Sequence, residues 1–105
     1  MTLEDLKALP VYQTRAINAA GEDEATLFYL LECVNRFQAG DFGEVPAEDA
    51  EANMRELESG EGRALGRYKK AHKLEGDIYI NAYFSESNPG ELDFNNTMIM
   101  YCSEY

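Results

Sequence analysis

The strongest helical pattern of the chain lies in residues 24–39, EATLFYLLECVNRFQA. Apolar side chains recur there every three or four residues, which is the spacing of one face of an α-helix. The members of this stripe are Leu27, Leu30, Leu31, Val34 and Phe37. Asp23 is a suitable N-cap, and Gly40 is the natural left-handed residue after the last turn. We therefore predict a core helix over residues 24–39, with Cys33 as a small buried side chain beside the stripe.

A second helix and a small sheet are predicted around the core helix. Pro46 can open a helix whose narrow apolar seam repeats at helical spacing. The seam consists of Ala50, Met54 and Leu57. Three later stretches alternate their side chains as strands do, and they are residues 63–71, 77–85 and 97–103. The predicted fold class is therefore α+β, with a small antiparallel sheet of three to four strands packed against two helices.

The chain of 105 residues is long enough for one compact domain. We predict a single domain over residues 1–105, made of a lead segment, a strand with the two helices, and the antiparallel strands. These parts span residues 1–13, 14–62 and 63–105. The lead segment is expected to be loose or briefly helical, and a loose alternation over residues 11–18 predicts a first strand.

The charge of the chain is strongly negative and unevenly distributed. Twenty acids and nine bases give a formal net charge of −11. Residues 1–61 carry a net charge of −10, and eight acids lie between Asp41 and Glu61. The five bases of the remaining chain all lie between Arg63 and Lys73. We expect a small basic strip and one acidic face, which either meets a basic partner or only keeps the protein soluble.

This charge argues against two classes of partner. Nucleic acids and anionic membranes both repel a negative surface, so we expect neither to be bound directly. No apolar run is long enough to span a bilayer, and the start MTLED lacks the pattern of a signal peptide. We therefore expect a cytoplasmic protein in which Cys33 and Cys102 are reduced.

The residue patterns typical of catalysis are sparse in this sequence. His72 is the single histidine, and neither a Ser or Cys nucleophile motif nor a phosphate-binding glycine loop occurs. Four acids could hold a hard cation, although their spacing matches no calcium loop: Asp41, Glu44, Glu48 and Asp49. We favour a binding protein without cofactor or metal ion over an enzyme, and keep a metal-dependent hydrolase or nuclease as an alternative.

Five stretches, in this order and spacing, resemble a known family. They are TRAIN at residues 14–18, GDFGEV at 40–45 followed by Glu48, Asp49 and Asn53, GRAL at 62–65 with Tyr68, IYI at 78–80, and NTMIMYCSEY at 96–105. The set looks like the small plasmid-related proteins of bacterial mobile elements and phages, over about residues 14–105. Those proteins share a GDWG-type turn, an EED…N helix start and a TTxLxPxEY end.

Small acidic proteins of such elements are often inhibitors of host defence. The resemblance therefore implies an anti-CRISPR protein in the cytoplasm of a bacterial host, which acts as a DNA mimic. Its expected partner is the basic surface of a type II effector (Cas9) or of its guide complex, whose DNA binding or cleavage it blocks.

We expect this contact to be made by acids and one aromatic anchor. The candidate residues are Asp41, Phe42, Glu44, Glu48, Asp49, Glu51, Glu56 and Glu58. The alternative is a non-catalytic accessory protein of a mobile element that binds a different host or plasmid protein. In that case the contact is expected at an aromatic sheet face formed by Tyr79, Tyr83 and Tyr101.

Overall fold

The computed structural model describes residues 1–105 and contains four helices and one four-stranded sheet. The helices are α1 (Leu3–Lys7), α2 (Arg15–Ala20), α3 (Glu24–Gln38) and α4 (Ala47–Ser59). The strands are β1 (Val11–Gln13), β2 (Glu61–Tyr68), β3 (Ile78–Ser85) and β4 (Asn96–Tyr101). Short 3₁₀ turns cover Leu92–Phe94 and Cys102–Glu104. None of the helices is both long and apolar enough to cross a lipid bilayer.

The predicted α+β fold is confirmed, with the sheet packed against the helices in the order β1-β4-β3-β2. β2, β3 and β4 pair antiparallel in chain order, as predicted. β1 lies on the far side of β4 and runs parallel to it, with Val11 opposite Thr97 and Gln13 opposite Ile99. The sheet is therefore mixed, because the long connection between β1 and β4 permits a parallel pair.

The first strand is shorter than predicted. A strand over residues 11–18 is wrong beyond Gln13, because Thr14 begins a helix. The Thr14 hydroxyl accepts a hydrogen bond from the Ile17 backbone N–H (3.4 Å), which is the geometry of an N-cap. The helix that follows, α2, is rich in alanine, and its Ile17 side chain is completely buried. Helix propensity and this burial together outweigh the loose alternation of the sequence.

The core helix α3 has its predicted position, but a different side of it is buried. Its buried apolar members are Leu30, Cys33, Val34 and Phe37. Leu27 and Leu31 belong to the predicted stripe but are 40% and 51% exposed. The reason is Thr26, which is fully buried and accepts a hydrogen bond from the Lys73 N–H (3.0 Å). This contact ties the segment after β2 to the helix and turns the Leu27 side outward.

The sheet has a core face and an outer face, since successive side chains of a strand point in opposite directions. The core face of β3 carries Ile78, Ile80, Ala82 and Phe84, which are all buried. The outer face carries Tyr79, Asn81 and Tyr83 from β3 beside Arg63, Leu65 and Arg67 from β2. Tyr101, predicted for an aromatic outer face, lies opposite Ile78 on the core face and is only 7% exposed.

Candidate functional site

The helix α4 lies in the most acidic segment of the chain and has well-defined ends. The Pro46 carbonyl oxygen accepts hydrogen bonds from the N–H groups of Asp49 and Ala50 (3.0 Å each). Glu48 and Asp49 occupy the first turn, where the helix dipole favours negative charge. Gly60 follows the last turn in the left-handed conformation, with φ of 77°. The local sequence therefore places α4 where it was predicted.

A side-chain amide fixes α4 against the edge of the sheet. Asn53 Nδ2 donates to the Leu65 carbonyl oxygen (2.9 Å), and the Leu65 N–H donates to Asn53 Oδ1 (3.1 Å). Asn53 and Leu57, one turn further along, are both buried. The exposed side of α4 is therefore held in a fixed position relative to the sheet. This role of Asn53 was not predicted, although an asparagine beside the apolar seam of a helix was a signal for it.

The turn before α4 is hydrogen-bonded to β2 at the same edge of the sheet. The Arg67 N–H donates to the Phe42 carbonyl oxygen (3.0 Å), and the Glu44 N–H donates to the Arg67 carbonyl oxygen (2.7 Å). Gly43 has a φ of 72°, and a Cβ atom there would collide with the Arg67 carbonyl oxygen. The glycine is thus required for the close approach of two backbones, and the turn is a structural element.

Phe42, predicted as an aromatic contact for a partner, lies in the core. It is 3% exposed, and its ring packs edge-on against Phe37 with 5.6 Å between the centroids. Burying such a side chain stabilises the fold by about 2 kcal/mol, but it leaves no surface for a partner to touch. The prediction was wrong because the contact with Phe37 depends on how the turn folds back onto α3.

Asp41, another predicted contact, is paired within its own chain. Arg36 Nε donates to Asp41 Oδ2 (2.7 Å), and the Gly43 N–H donates to Asp41 Oδ1 (3.1 Å). The hydrogen bond from Arg36, followed by that from Gly43, lowers the pKa of the Asp41 carboxyl below its ordinary value. Asp41 therefore helps to hold the turn, and its charge is balanced by Arg36.

We expect Asp41→Asn to lower the melting temperature at neutral pH, because the variant loses the ion pair with Arg36. A depressed pKa stabilises the fold above the pKa of the unfolded chain, near 3.8, and this contribution disappears as the pH falls through the folded value. Thermal unfolding of both proteins from pH 7 down to pH 2 measures the difference. A difference that stays constant across this range would contradict the role given to the ion pair.

Five carboxylates of α4 form what we term the acidic surface: Glu48, Asp49, Glu51, Glu56 and Glu58. All five are exposed. Side chains seven residues apart lie on the same side of a helix, two turns from each other. Asp49 and Glu56 therefore form one row, and Glu51 and Glu58 form a second row. The two rows lie on opposite flanks of α4, because at about 100° per residue they are about 200° apart around the helix axis. Asp49 and Glu56 line one groove, and Glu51 and Glu58 line another.

No basic group of the chain is paired with the acidic surface. The three ion pairs of the structure join the N-terminus to Glu86, Arg36 to Asp41, and Arg67 to Asp77. Arg55, on α4 itself, forms no ion pair, and Arg63 forms none with Asp49 or Glu56 although the three line one groove. Glu44 is also exposed and unpaired, on the loop just before α4.

The structure brings no three His, Cys, Asp or Glu side chains together in a way that could hold a metal ion. The candidate cation ligands are therefore not assembled into a site, and one of them, Asp41, is bonded to Arg36. His72 is exposed and packs edge-on against Tyr29, with 6.0 Å between the ring centroids. The exposed carboxylates of α4 form a charged surface that is suited to binding a basic partner.

The chain matches no family model, and searches of curated proteins and of solved structures gave no match. The resemblance to the plasmid-related proteins therefore stays a prediction.

Proposed function

We propose that the protein is a non-catalytic inhibitor that binds a basic, nucleic-acid-binding protein through the acidic surface of α4. Given the resemblance to mobile-element proteins, the partner is a type II CRISPR effector (Cas9) or its guide complex in the host cytoplasm. Bound α4 would occupy part of the channel that holds DNA, and so block DNA binding or cleavage. The observation that carries the proposal is the set of five exposed carboxylates on one fixed helix, none of them in an ion pair.

The charge density of α4 supports imitation of a nucleic-acid strand. From Glu48 to Glu58 the helix axis rises by about 15 Å, at about 1.5 Å per residue. Five carboxylates and Arg55 give this segment a net charge of −4. That is one charge per about 4 Å of axis, against one phosphate per about 3.4 Å along a strand of B-DNA. A basic channel would therefore meet a similar linear density of negative charge.

The attachment of α4 to the sheet supports the same proposal. The Asn53–Leu65 hydrogen bonds and buried Leu57 hold the helix in place before any partner arrives. Binding then has to order only the acidic side chains, which reduces its entropic cost. Exposed charges also accelerate association and are screened by salt, with a Debye length of about 8 Å at physiological ionic strength. We therefore expect the affinity to fall steeply as salt is added.

The direct test is a DNA cleavage assay in which the guide-loaded effector is premixed with the purified protein. We expect cleavage to be lost, and to be lost less completely when target DNA is added before the protein. Full cleavage at a large molar excess of the protein would rule out the proposed partner. Cleavage that is inhibited equally in both orders of addition would contradict competition for the DNA channel.

We expect Arg55→Glu to tighten binding to the effector by about threefold to fivefold. Arg55 lies among the carboxylates without an ion pair, so its replacement removes a repulsive charge and adds an attractive one. Surface plasmon resonance at fixed salt measures the change. Arg15→Glu makes the same charge change on α2 and serves as the control. Equal gains in both variants would mean that net charge, and not α4, determines affinity.

A further inference from the structure

The two edges of the sheet differ in how their backbone groups are satisfied. At the β2 edge, the N–H and carbonyl groups of Leu65 bond to the Asn53 side chain. Those of Arg67 bond to the turn before α4. At the other edge, β1 has β4 as its only neighbour, and all three of its residues are exposed. The chain therefore covers the β2 edge itself and leaves the β1 edge open.

The ladder between β1 and β4 determines which backbone groups face the open edge. The Thr97 N–H donates to the Pro10 carbonyl oxygen (2.9 Å), and the Thr14 N–H donates to the Ile99 carbonyl oxygen (3.1 Å). Successive residues of a strand direct their backbone groups to alternate sides, so Tyr12, midway between Pro10 and Thr14, also faces β4. The two remaining residues of β1 therefore face away from the sheet.

The open edge thus presents four backbone groups, which are the N–H and carbonyl groups of Val11 and Gln13. Native proteins usually protect such an edge with charged side chains or with a covering element. β1 has neither, since its sequence is Val-Tyr-Gln and no strand or helix lies beyond it. The edge is therefore able to accept a further strand.

The charge around β1 differs from that of the rest of the chain. Residues 6–21 are the longest stretch without an acid and contain Lys7 and Arg15. Glu104 approaches the end of β1, where its Oε1 accepts a hydrogen bond from the Thr14 hydroxyl (2.9 Å). The acidic surface lies at the opposite edge of the sheet, because α4 is attached to β2.

This placement weakens the repulsion between two copies of the chain. Two sheets joined at β1 would hold their β2 strands about 34 Å apart, at about 4.8 Å from one strand to the next. The Debye length at physiological ionic strength is about 8 Å, so the two acidic surfaces would be screened from each other. The net charge of −11 therefore opposes contact at this edge only weakly.

We propose that the β1 edge is a self-association surface, at which two copies of the chain pair antiparallel around a two-fold axis through Tyr12. Val11 of each copy then lies opposite Gln13 of the other, and each such pair exchanges two hydrogen bonds. The four bonds use every open group of both copies. An axis through Val11 or Gln13 would give only two bonds, because residues 9 and 15 lie outside β1.

A second copy fits this edge better than a strand of another protein. On the two-fold axis the two Tyr12 residues form a non-hydrogen-bonded pair, with about 4.5 Å between their Cα atoms. Aromatic side chains in such a pair attract each other, and the Tyr12 ring is 43% exposed in the single chain. β1 has no charged side chain that would select a charged foreign strand. The dimer leaves the acidic surfaces of both copies free.

The test measures the association of the purified full chain by sedimentation equilibrium. The paired strands are short, so we expect a reversible dimer with a Kd in the micromolar to millimolar range. Tyr12→Lys places two like charges directly opposite each other and should raise this Kd at least about tenfold. Phe28→Lys makes the same charge change on an exposed ring of α3 and should keep the natural Kd.

Two results of this comparison would overturn the proposal. The first is a natural chain that stays monomeric at millimolar concentration, and the second is an equal Kd for Tyr12→Lys and the natural chain. If the natural chain is monomeric and Tyr12→Lys also loses inhibition of the effector, the edge belongs to a strand of the effector instead. The association itself is measured without the effector, so it is independent of the proposed function.

The register is tested by exchanging charges across the two-fold axis. Tyr12→Glu should weaken the dimer as Tyr12→Lys does, but an equimolar mixture of the two variants should form a mixed dimer with about the natural Kd. Variants that stay monomeric when mixed would overturn the pairing of Tyr12 with its own copy.

The backbone pairing is tested without a change of charge. Gln13→Pro removes one N–H group that faces the open edge and none that bonds to β4, which is a position where edge strands tolerate proline. We expect it to raise the Kd about tenfold and to leave the melting temperature of the dilute chain nearly unchanged. A folded Gln13→Pro variant that dimerises like the natural chain would overturn the proposal.

Discussion

A four-lysine variant of the acidic surface should lose at least about a hundredfold in affinity for the effector. The variant carries Glu48→Lys, Glu51→Lys, Glu56→Lys and Glu58→Lys. Each change removes one attractive charge and adds one repulsive charge. At about 0.3–0.4 kcal/mol per exposed charge, the eight charge changes amount to about 3 kcal/mol, which corresponds to about a hundredfold. Binding isotherms and the cleavage assay at the same salt concentration measure the effect.

The matched control reverses four exposed acids that lie outside the acidic surface. It carries Glu4→Lys, Glu22→Lys, Glu32→Lys and Glu91→Lys. Each reversal adds two charges, so both variants change the formal net charge from −11 to −3. We expect the control to keep most of its inhibition and to differ mainly in association rate. If both variants lost affinity equally, the inhibition would depend on net charge, and α4 would not be the contact.

The second large effect is expected on stability. Asn53→Ala leaves the N–H and carbonyl groups of Leu65 without their partners at the sheet edge. An unsatisfied backbone group costs about 1–3 kcal/mol, and the alanine recovers about 0.5 kcal/mol as a better helix former. We therefore expect a loss of about 2–3 kcal/mol in the free energy of unfolding. For a domain of this size, that lowers the melting temperature by about 10–20 °C.

Asn35→Ala makes the same substitution at an exposed position of α3 and should change the melting temperature little. Calorimetry of both variants gives the comparison, and urea unfolding checks that the transition stays cooperative. A melting temperature of Asn53→Ala within the range of the control would show that Asn53 does not anchor α4. The anchored arrangement also predicts that Asn53→Ala weakens inhibition at temperatures where the variant is still folded.

The elements that could be predicted from the sequence are those with strong local periodicity. α3 and α4 follow from apolar spacing and end residues, and the three antiparallel strands follow from alternation. The parallel pairing of β1 with β4 could not be predicted, because nothing in three residues indicates which distant strand they join. α2 was missed for a related reason, since the cap at Thr14 is a single-residue signal inside an ambiguous stretch.

The candidate site also has features that could be predicted from the sequence and features that could not. That α4 is mostly exposed could be predicted, because its apolar seam is narrow and its other sides are acidic. Phe42 and Asp41 were assigned to a partner contact from their neighbours in sequence. Packing against Phe37 buries Phe42, whereas Asp41 stays exposed but is paired with Arg36.

The order of the strands also determines when the protein can fold during its synthesis. β1 emerges from the ribosome early, but its only neighbour in the sheet, β4, is translated after the other three strands. β3 also waits for β4 on one of its sides. At typical rates of about 5–20 residues per second, the nascent chain spends several seconds with these strands unpaired. Translational pausing before residue 96 would therefore prolong the period in which chaperones and proteases can capture the chain.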